Sequence, residues 1–117
     1  MGKRRIKMNI GLTYSTTQEQ MQNIVSQLRE MLVQHKEIHQ DTIFIYFTDF
    51  QDSSLGIFCY FFTKTTNWGE YMRVREDVNL KIMKIVEANH ASFAFPSRSI
   101  YVETPKELVQ SQTNELI

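Results

Sequence analysis

The sequence predicts an α+β fold of the ferredoxin-like kind, a βαββαβ two-layer sandwich in which two helices cover one face of a sheet. Three observations predict it. An alternating apolar stretch precedes an amphipathic helical stretch, two β-rich runs are separated by only four residues, and a second amphipathic stretch leads into a short apolar run interrupted by Pro96. The length of 117 residues, with 42% hydrophobic and 22% charged residues, is typical of one folded domain.

The first third of the chain predicts a strand followed by a helix. Apolar and polar residues alternate from residue 4 to 14, which is the period of a strand with one buried face. Thr16 and Thr17 offer two overlapping helix starts, because each has Glu or Gln three residues later, the spacing of a capping box. The helix is predicted to run to about His35, with an inner face made of Met21, Ile24, Val25, Leu28, Met31 and Leu32.

A hairpin is predicted in the middle of the chain. Residues 42–50 and 55–63 are dense in β-branched and aromatic side chains, which favour strands. Residues 51–54, Gln-Asp-Ser-Ser, have the composition of a turn. A connection of only four residues implies that the two strands are antiparallel.

A second helix and a closing strand follow the hairpin. Asn67 is the expected N-cap, with Glu70 reaching back to it. The helical pattern stops at Asn89, a residue type that tolerates the left-handed conformation in which many helices end. Residues 93–102 are predicted to form the fourth strand, and Pro96 is expected to set a bend in it.

The N-terminal residues predict that this chain is a piece of a longer protein, and the C-terminal residues predict a polar tail. The basic stretch of residues 3–7 follows Met1-Gly2 directly and a strand begins at once, which indicates a piece of a longer protein. Residues 1–105 are expected to form the ferredoxin-like domain. Residues 106–117 are expected to form a polar tail, either disordered or a short helix.

Charge and composition argue against several classes of function. Thirteen Lys and Arg balance thirteen Asp and Glu, so the net charge of zero gives no global indication of nucleic acid or of an anionic membrane. Cys59 is the single cysteine, so no internal disulfide can form. No apolar run approaches the roughly 20 residues that span a bilayer.

Residues that could carry catalytic or metal chemistry lack the usual arrangements. His35 and His39 are four residues apart and would share a face of a continuous helix, but two ligands without a clear third do not make a metal site. Cys59 lies within an apolar strand, with no basic neighbour in sequence to lower its pKa. The chain contains no recognisable nucleophile turn or phosphate-binding loop. We therefore expect no enzyme activity, no metal and no cofactor.

Both faces of the predicted hairpin are apolar, although two helices can cover only one of them. In the third strand one face carries Ile57, Cys59 and Phe61, and the other carries Phe58, Tyr60 and Phe62. Whichever set the helices leave open would form an aromatic or aliphatic patch larger than monomers usually expose. We expect a neighbouring subunit to cover it, and the predicted subunit interface is formed by Tyr46, Phe58, Tyr60 and Phe62.

Two alternative functions share this fold. RNA-recognition modules have the same element order and stack bases on aromatic residues of the third strand. Here that strand keeps Gly56 and Phe62, but Leu55 and Ile57 replace the expected basic and aromatic residues. A free-standing small-molecule-sensing module is the other alternative, and no motif in the sequence distinguishes it.

Four motifs, in order over roughly residues 3–103, resemble the C-terminal part of small-conductance mechanosensitive (MscS-type) channels. The basic start at residues 3–17 and the Asp-Ser-Ser turn at residues 52–54 resemble the corresponding parts of that family. The helix motif with Arg75, Asp77 and Asn79, and the strand motif with Phe95 and Pro96, resemble its closing stretch. The chain departs from the family pattern at the helix exit, residues 89–92, and in the tail after Pro105.

The resemblance implies a tension-gated channel of a bacterial inner membrane as the parent protein. This chain would be the α/β domain of its cytosolic cage, usually heptameric, with side portals that lead solutes to the pore. It would meet the membrane only through segments N-terminal to it, and it would not itself conduct ions. The expected partner is therefore a homo-oligomer, with no nucleic acid.

Overall fold

The computed structural model describes residues 3–94 and places three strands and two helices in the predicted order. They are β1 (Arg4–Leu12), α1 (Gln18–Gln34), β2 (Ile38–Phe50), β3 (Leu55–Thr63) and α2 (Trp68–Ala88). The strands form one antiparallel sheet of order β1-β3-β2, and both helices lie on one side of it. This is the predicted α+β architecture of the ferredoxin-like kind.

The capping of α1 selects one of the two predicted helix starts. Thr17 is the N-cap: its hydroxyl oxygen accepts from the Gln20 N–H at 3.1 Å, and the Gln20 side-chain oxygen accepts from the Thr17 N–H at 2.8 Å. Thr16 is buried instead, and its N–H donates to the Thr13 carbonyl at 3.1 Å. The turn that this bond closes also ends β1 at Leu12, two residues before the predicted end.

The hairpin has the predicted turn and the predicted β3, but β2 begins four residues earlier than expected. Ile38 is fully buried and pairs with Thr63, and a register shift separates this pair from the next one, Ile43 with Phe61. Burial of Ile38 against the end of β3 therefore extends β2 through the polar residues 39–41, which lie before the predicted start of the strand. The turn closes where the Gln51 N–H donates to the Ser54 carbonyl at 2.8 Å.

Both ends of α2 differ in detail from the prediction. The Asn67 side chain caps the helix by accepting from the Glu70 N–H at 3.0 Å, as expected, but the Glu70 carboxylate binds Arg73 rather than reaching back. The left-handed residue is His90, with φ 62°, and Asn89 keeps φ −95°. The Asn89 N–H still bonds to the last turn of the helix, which moves the left-handed exit one residue along the chain.

The core lies between the sheet and the helices. In β3, Ile57, Cys59 and Phe61 are buried and face it. Its other members come from every described element, and they are Ile6, Ile10, Leu12, Met21, Ile24, Leu28, Leu32, Ile38, Ile45, Leu55, Tyr71, Val74, Val78, Ile82 and Val86. Neither helix of the part described here is both long and apolar enough to cross a membrane.

Chain segments after α2 return to the free edge of β1. Leu12 and Phe93 form an isolated antiparallel bridge, and the Ala94 N–H donates to the Gly11 carbonyl at 2.9 Å. The rest of the predicted fourth strand, with Phe95 and Pro96, lies outside the described residues, as do the domain limit at residue 105 and the tail of residues 106–117. Those expectations stay predictions.

Candidate functional site

The sheet face that points away from the helices, here called the open face, carries a row of aromatic side chains. Phe58, Tyr60 and Phe62 of β3, here called the aromatic row, are half-buried and alternate with the core residues of the same strand. The ring centroids of Phe58 and Tyr60 are 6.1 Å apart, and those of Tyr60 and Phe62 are 5.5 Å apart. Strand alternation thus gives one continuous aromatic surface along the middle strand.

Two aromatic residues of β2 widen this surface. Phe44 pairs with Tyr60 and Tyr46 pairs with Phe58 across the strands, so all four side chains share the open face. The rings of Phe44 and Tyr60 stack at 6.0 Å. Phe44 is 45% exposed and Tyr46 is 52% exposed. The predicted interface residues therefore lie together on the open face.

The free edge of β2 is bound by polar side chains. Arg29 of α1 donates to the Ile45 carbonyl, and its guanidinium lies 5.3 Å from the centroid of the Tyr46 ring. Gln40 donates from Nε2 to the Ile38 carbonyl at 2.9 Å and to the Leu32 carbonyl at 3.2 Å. Two main-chain acceptors of β2, the Ile38 and Ile45 carbonyls, thus have side-chain partners within the chain.

A basic row on β1 borders the aromatic row. Arg5 pairs with Phe62 and Lys7 pairs with Tyr60, so both basic side chains lie on the open face. The Lys3 ammonium lies 4.7 Å from the centroid of the Phe62 ring, a cation–π distance. We call Lys3, Arg5 and Lys7 the basic end of the open face.

The hairpin turn at the opposite end carries acidic and aromatic side chains. Asp49 pairs with Gly56 on the open face, whereas Phe50 pairs with the core residue Leu55 and so lies toward the helix side. Asp49 and Asp52 flank Phe50, which is 79% exposed and packs edge-on against Phe47 at 5.1 Å. We call residues 47–54 the hairpin tip. The Tyr14 hydroxyl donates to the Gln51 carbonyl, and this bond helps to fix the turn.

The helix motif has a packing role that the sequence did not reveal. The Oδ2 atom of Asp77 accepts from His35 Nε2 at 2.7 Å. The Glu37 N–H donates to His35 Nδ1 at 3.1 Å, which leaves the ring proton on Nε2. Hydrogen bonds from Lys81 and then from His35 lower the pKa of Asp77. Asp77 therefore ties the C-terminus of α1 to the middle of α2.

Arg75 and Asn79, the other two motif residues on α2, do not join the two helices as Asp77 does. Arg75 Nη1 donates to the Tyr71 hydroxyl at 3.3 Å, and that hydroxyl donates to the Arg5 carbonyl at 3.2 Å. Asn79 is exposed and borders a groove of about 260 Å³ beside Phe93. Arg75 thus contributes to holding the start of β1 against α2.

The structure separates the two histidines considered as metal ligands. His35 caps α1, whereas His39 lies in β2 with Nδ1 3.6 Å from a carboxylate oxygen of Asp41. Within residues 3–94 no group of three His, Cys, Asp or Glu side chains could hold a metal ion. Burial raises the pKa of Cys59 to about 12, so the thiol is protonated at neutral pH.

Sequence reasoning missed the basic end and the His35–Asp77 contact. The basic end has a sequence signal, since Lys3, Arg5 and Lys7 follow the period of two that places alternate residues of a strand on one face. The His35–Asp77 contact has none, because 42 residues separate its partners and only the packing of the helices brings them together.

Comparison with known proteins identifies relatives. Residues 6–93 match the family model described as mechanosensitive ion channel MscS, C-terminal. An MscS family protein of Aquifex aeolicus is 48% identical over 102 residues, 86% of this chain and 28% of that protein. The low conductance mechanosensitive channel YnaI of Escherichia coli is 46% identical over 110 residues, 92% of this chain and 32% of that channel. This chain therefore spans about a third or less of either relative.

Solved structures share the fold. The crystal structure of Helicobacter pylori MscS in its closed state superposes with a TM-score of 0.63 at 22% identity, over 90% of this chain and 40% of that one. The cryo-EM structure of Arabidopsis thaliana MSL1 superposes with a TM-score of 0.73 at 16% identity, over 82% of this chain and 35% of that one. These likenesses agree with the α+β architecture described above.

Proposed function

Because this chain belongs to the MscS family of mechanosensitive ion channels, as their C-terminal domain, we propose that it is the part of a channel's cytosolic cage through which subunits assemble. In this proposal the domain forms part of the wall of a vestibule and does not itself conduct ions. The parent protein is a tension-gated channel of a bacterial inner membrane, and segments N-terminal to this domain carry it into the bilayer. The domain faces the cytoplasm and has no catalytic role.

The open face is the observation that carries the assembly proposal. Five aromatic side chains share it: Phe44, Tyr46, Phe58, Tyr60 and Phe62. Contiguous apolar patches of this kind on soluble proteins mark interaction sites, because exposing them to water is unfavourable. A neighbouring subunit of the same kind is the simplest cover for the face. From the family resemblance we expect seven subunits in the ring of the full-length protein.

Tyr60 is the position at which to test this proposal. Its ring contacts Phe44, Phe58 and Phe62, so it lies at the centre of the patch. A glutamate at this position would place an unpaired charge in a dehydrated contact, which is costly. We expect Tyr60→Glu to weaken self-association at least roughly tenfold in sedimentation equilibrium.

Two further variants make the test decisive. Tyr46→Glu alters a more exposed member of the same surface and should also weaken association without affecting the fold, as judged by circular dichroism. Leu80→Glu is the matched control, because Leu80 is 57% exposed on α2 and away from the open face. Unchanged oligomer mass in both tyrosine variants, or a wild-type chain that stays monomeric at about 1 mM, would refute the proposal.

A further inference from the structure

The open face carries opposite charges at its two ends. Arg5 lies beside Phe62 at one end, and Asp49 and Asp52 lie at the hairpin tip next to Leu55 at the other. Seven steps along β3 separate Leu55 from Phe62, roughly 23 Å at about 3.3 Å per residue. This exceeds the Debye length of about 8 Å at physiological ionic strength, so the two ends do not neutralise each other within one chain.

Local ion pairs do not neutralise these charges either. Across the portion of the chain that the structure covers, Arg5, Lys7, Asp49 and Asp52 take part in no ion pair, and all four are exposed. Ion pairs on the helix side involve other residues, such as Lys81 with Asp77 at 3.1 Å. Within residues 3–94, the charges at both ends of the open face are therefore exposed and free of ion pairs.

The hairpin tip combines an exposed aromatic side chain with an ordered turn. Phe50 projects from it at 79% exposure, and the turn behind it is held by the bond from the Tyr14 hydroxyl to the Gln51 carbonyl. The Ser54 hydroxyl also donates to the Gln51 side-chain oxygen at 2.7 Å. A turn that is already ordered loses little entropy on binding, which favours its use as a contact.

We infer that the basic end of the open face receives the hairpin tip of a second copy of this chain. Phe50 of one copy packs against the aromatic row of the next, and Asp49 and Asp52 lie near Arg5 and Lys7. Charge complementarity and the paired aromatic surfaces both favour this occupant. The inference rests on the proposed function and names the contact through which assembly occurs.

This contact has a direction. The tip and the basic end are different patches of the surface, so a two-fold pair would make this contact twice, whereas a head-to-tail arrangement makes it once with each neighbour. We take the head-to-tail arrangement, because the proposed ring requires it. Heterologous contacts close into rings when the rotation between copies allows it. A two-fold pair in which each chain covers the other's whole face is a different arrangement.

Charge reversal tests the inference. Arg5→Glu alone and Asp52→Lys alone should each weaken self-association roughly tenfold, because each replaces an attraction with a repulsion. The chain carrying both substitutions restores opposite charges at every contact and should recover wild-type association. Lys84→Glu, an exposed reversal on α2, is the control and should have no effect. Association of the wild type should weaken as salt rises from about 50 to 500 mM.

Disulfide trapping tests the same contact directly. A chain with Arg5→Cys is mixed with a chain with Asp52→Cys under mild oxidation, and cross-linked pairs of the two variants are expected. Native Cys59 does not compete, because it is buried and protonated. Lys84→Cys mixed with Asp52→Cys is the control and should give no cross-linked pairs.

The outcomes separate this inference from the proposed function. If Tyr60→Glu weakens association while the single reversals and the double reversal all behave as wild type, the tip contact is wrong and assembly through the open face survives. If the mass stops at two copies, the head-to-tail arrangement is wrong. If Tyr60→Glu and Tyr46→Glu have no effect either, both proposals fail.

Discussion

Breaking the contact between His35 and Asp77 is expected to destabilise the domain by about 1 kcal/mol. His35 Nε2 donates to Asp77 Oδ2 at 2.7 Å, and the two side chains are 9% and 39% exposed. Hydrogen bonds to charged groups stabilise proteins by about 1.5–3 kcal/mol in mutational series. Solvent reaches one side of the carboxylate and screens its charge, which reduces the figure to about 1 kcal/mol.

A double-mutant cycle measures this energy. Asp77→Ala, His35→Ala and the double variant are unfolded in urea and followed by circular dichroism, and the coupling term isolates the pair from the packing lost with either side chain. A loss of 1 kcal/mol lowers Tm by about 4 °C in a domain of this size. Lys81→Ala removes only the i,i+4 ion pair and should cost about 0.3–0.5 kcal/mol. A coupling energy within about 0.3 kcal/mol of zero would refute the reasoning.

The same contact predicts a dependence on pH. Lys81 and His35 lower the pKa of Asp77 below its unfolded value, so the carboxylate stays ionised to a lower pH in the folded state than in the unfolded state. The stabilisation is therefore fully present above the unfolded pKa of about 3.9 and is lost as pH falls through the lower folded pKa. The stability difference between wild type and Asp77→Asn should shrink as pH falls below about 4. A difference that grows in acid would contradict this sign.

Three further changes test other parts of the structure. Phe61→Ala removes a ring that is 1% exposed in the core and should cost about 3–5 kcal/mol in urea unfolding, whereas a loss under about 1 kcal/mol would mean that the ring is not buried. The Cys59 thiol, with its pKa raised to about 12, should resist a disulfide reagent at pH near 8 in the folded protein and react once urea is added, so fast labelling without urea would contradict its burial. His90→Gly should raise the free energy of unfolding by about 0.5 kcal/mol, since φ of 62° strains a non-glycine residue, and a destabilised variant would show that the His90 side chain matters more than its backbone.

Local signals in the sequence predicted most of the fold. The β-branched and aromatic residues that follow the Gln-Asp-Ser-Ser turn predict the limits of β3, and strand geometry separates its two faces, because successive side chains of a strand point to opposite sides. Asn67 and Thr17 cap their helices as residues of their type do. These features depend on neighbours a few residues away, so the sequence alone contains them.

Features that depend on distant partners were not predictable in the same way. The choice of Thr17 over Thr16, the early start of β2 at Ile38 and the role of Asp77 all follow from contacts across the fold. The open face was predictable only in part. Its aromatic residues follow from alternation, but only the position of the helices decides that Tyr60, rather than Cys59, points away from the core.

The polar contacts along the edge of β2 affect whether this domain can aggregate in solution by strand addition. Arg29 binds the Ile45 carbonyl, Gln40 binds the Ile38 carbonyl, and register shifts interrupt the strand on both sides of residues 43–47. Bulges and charged side chains at an edge deny another strand the regular row of main-chain groups on which fibrils grow. Growth of the sheet by strand addition at β2 is therefore suppressed, also where copies meet through the side chains of the open face as we propose.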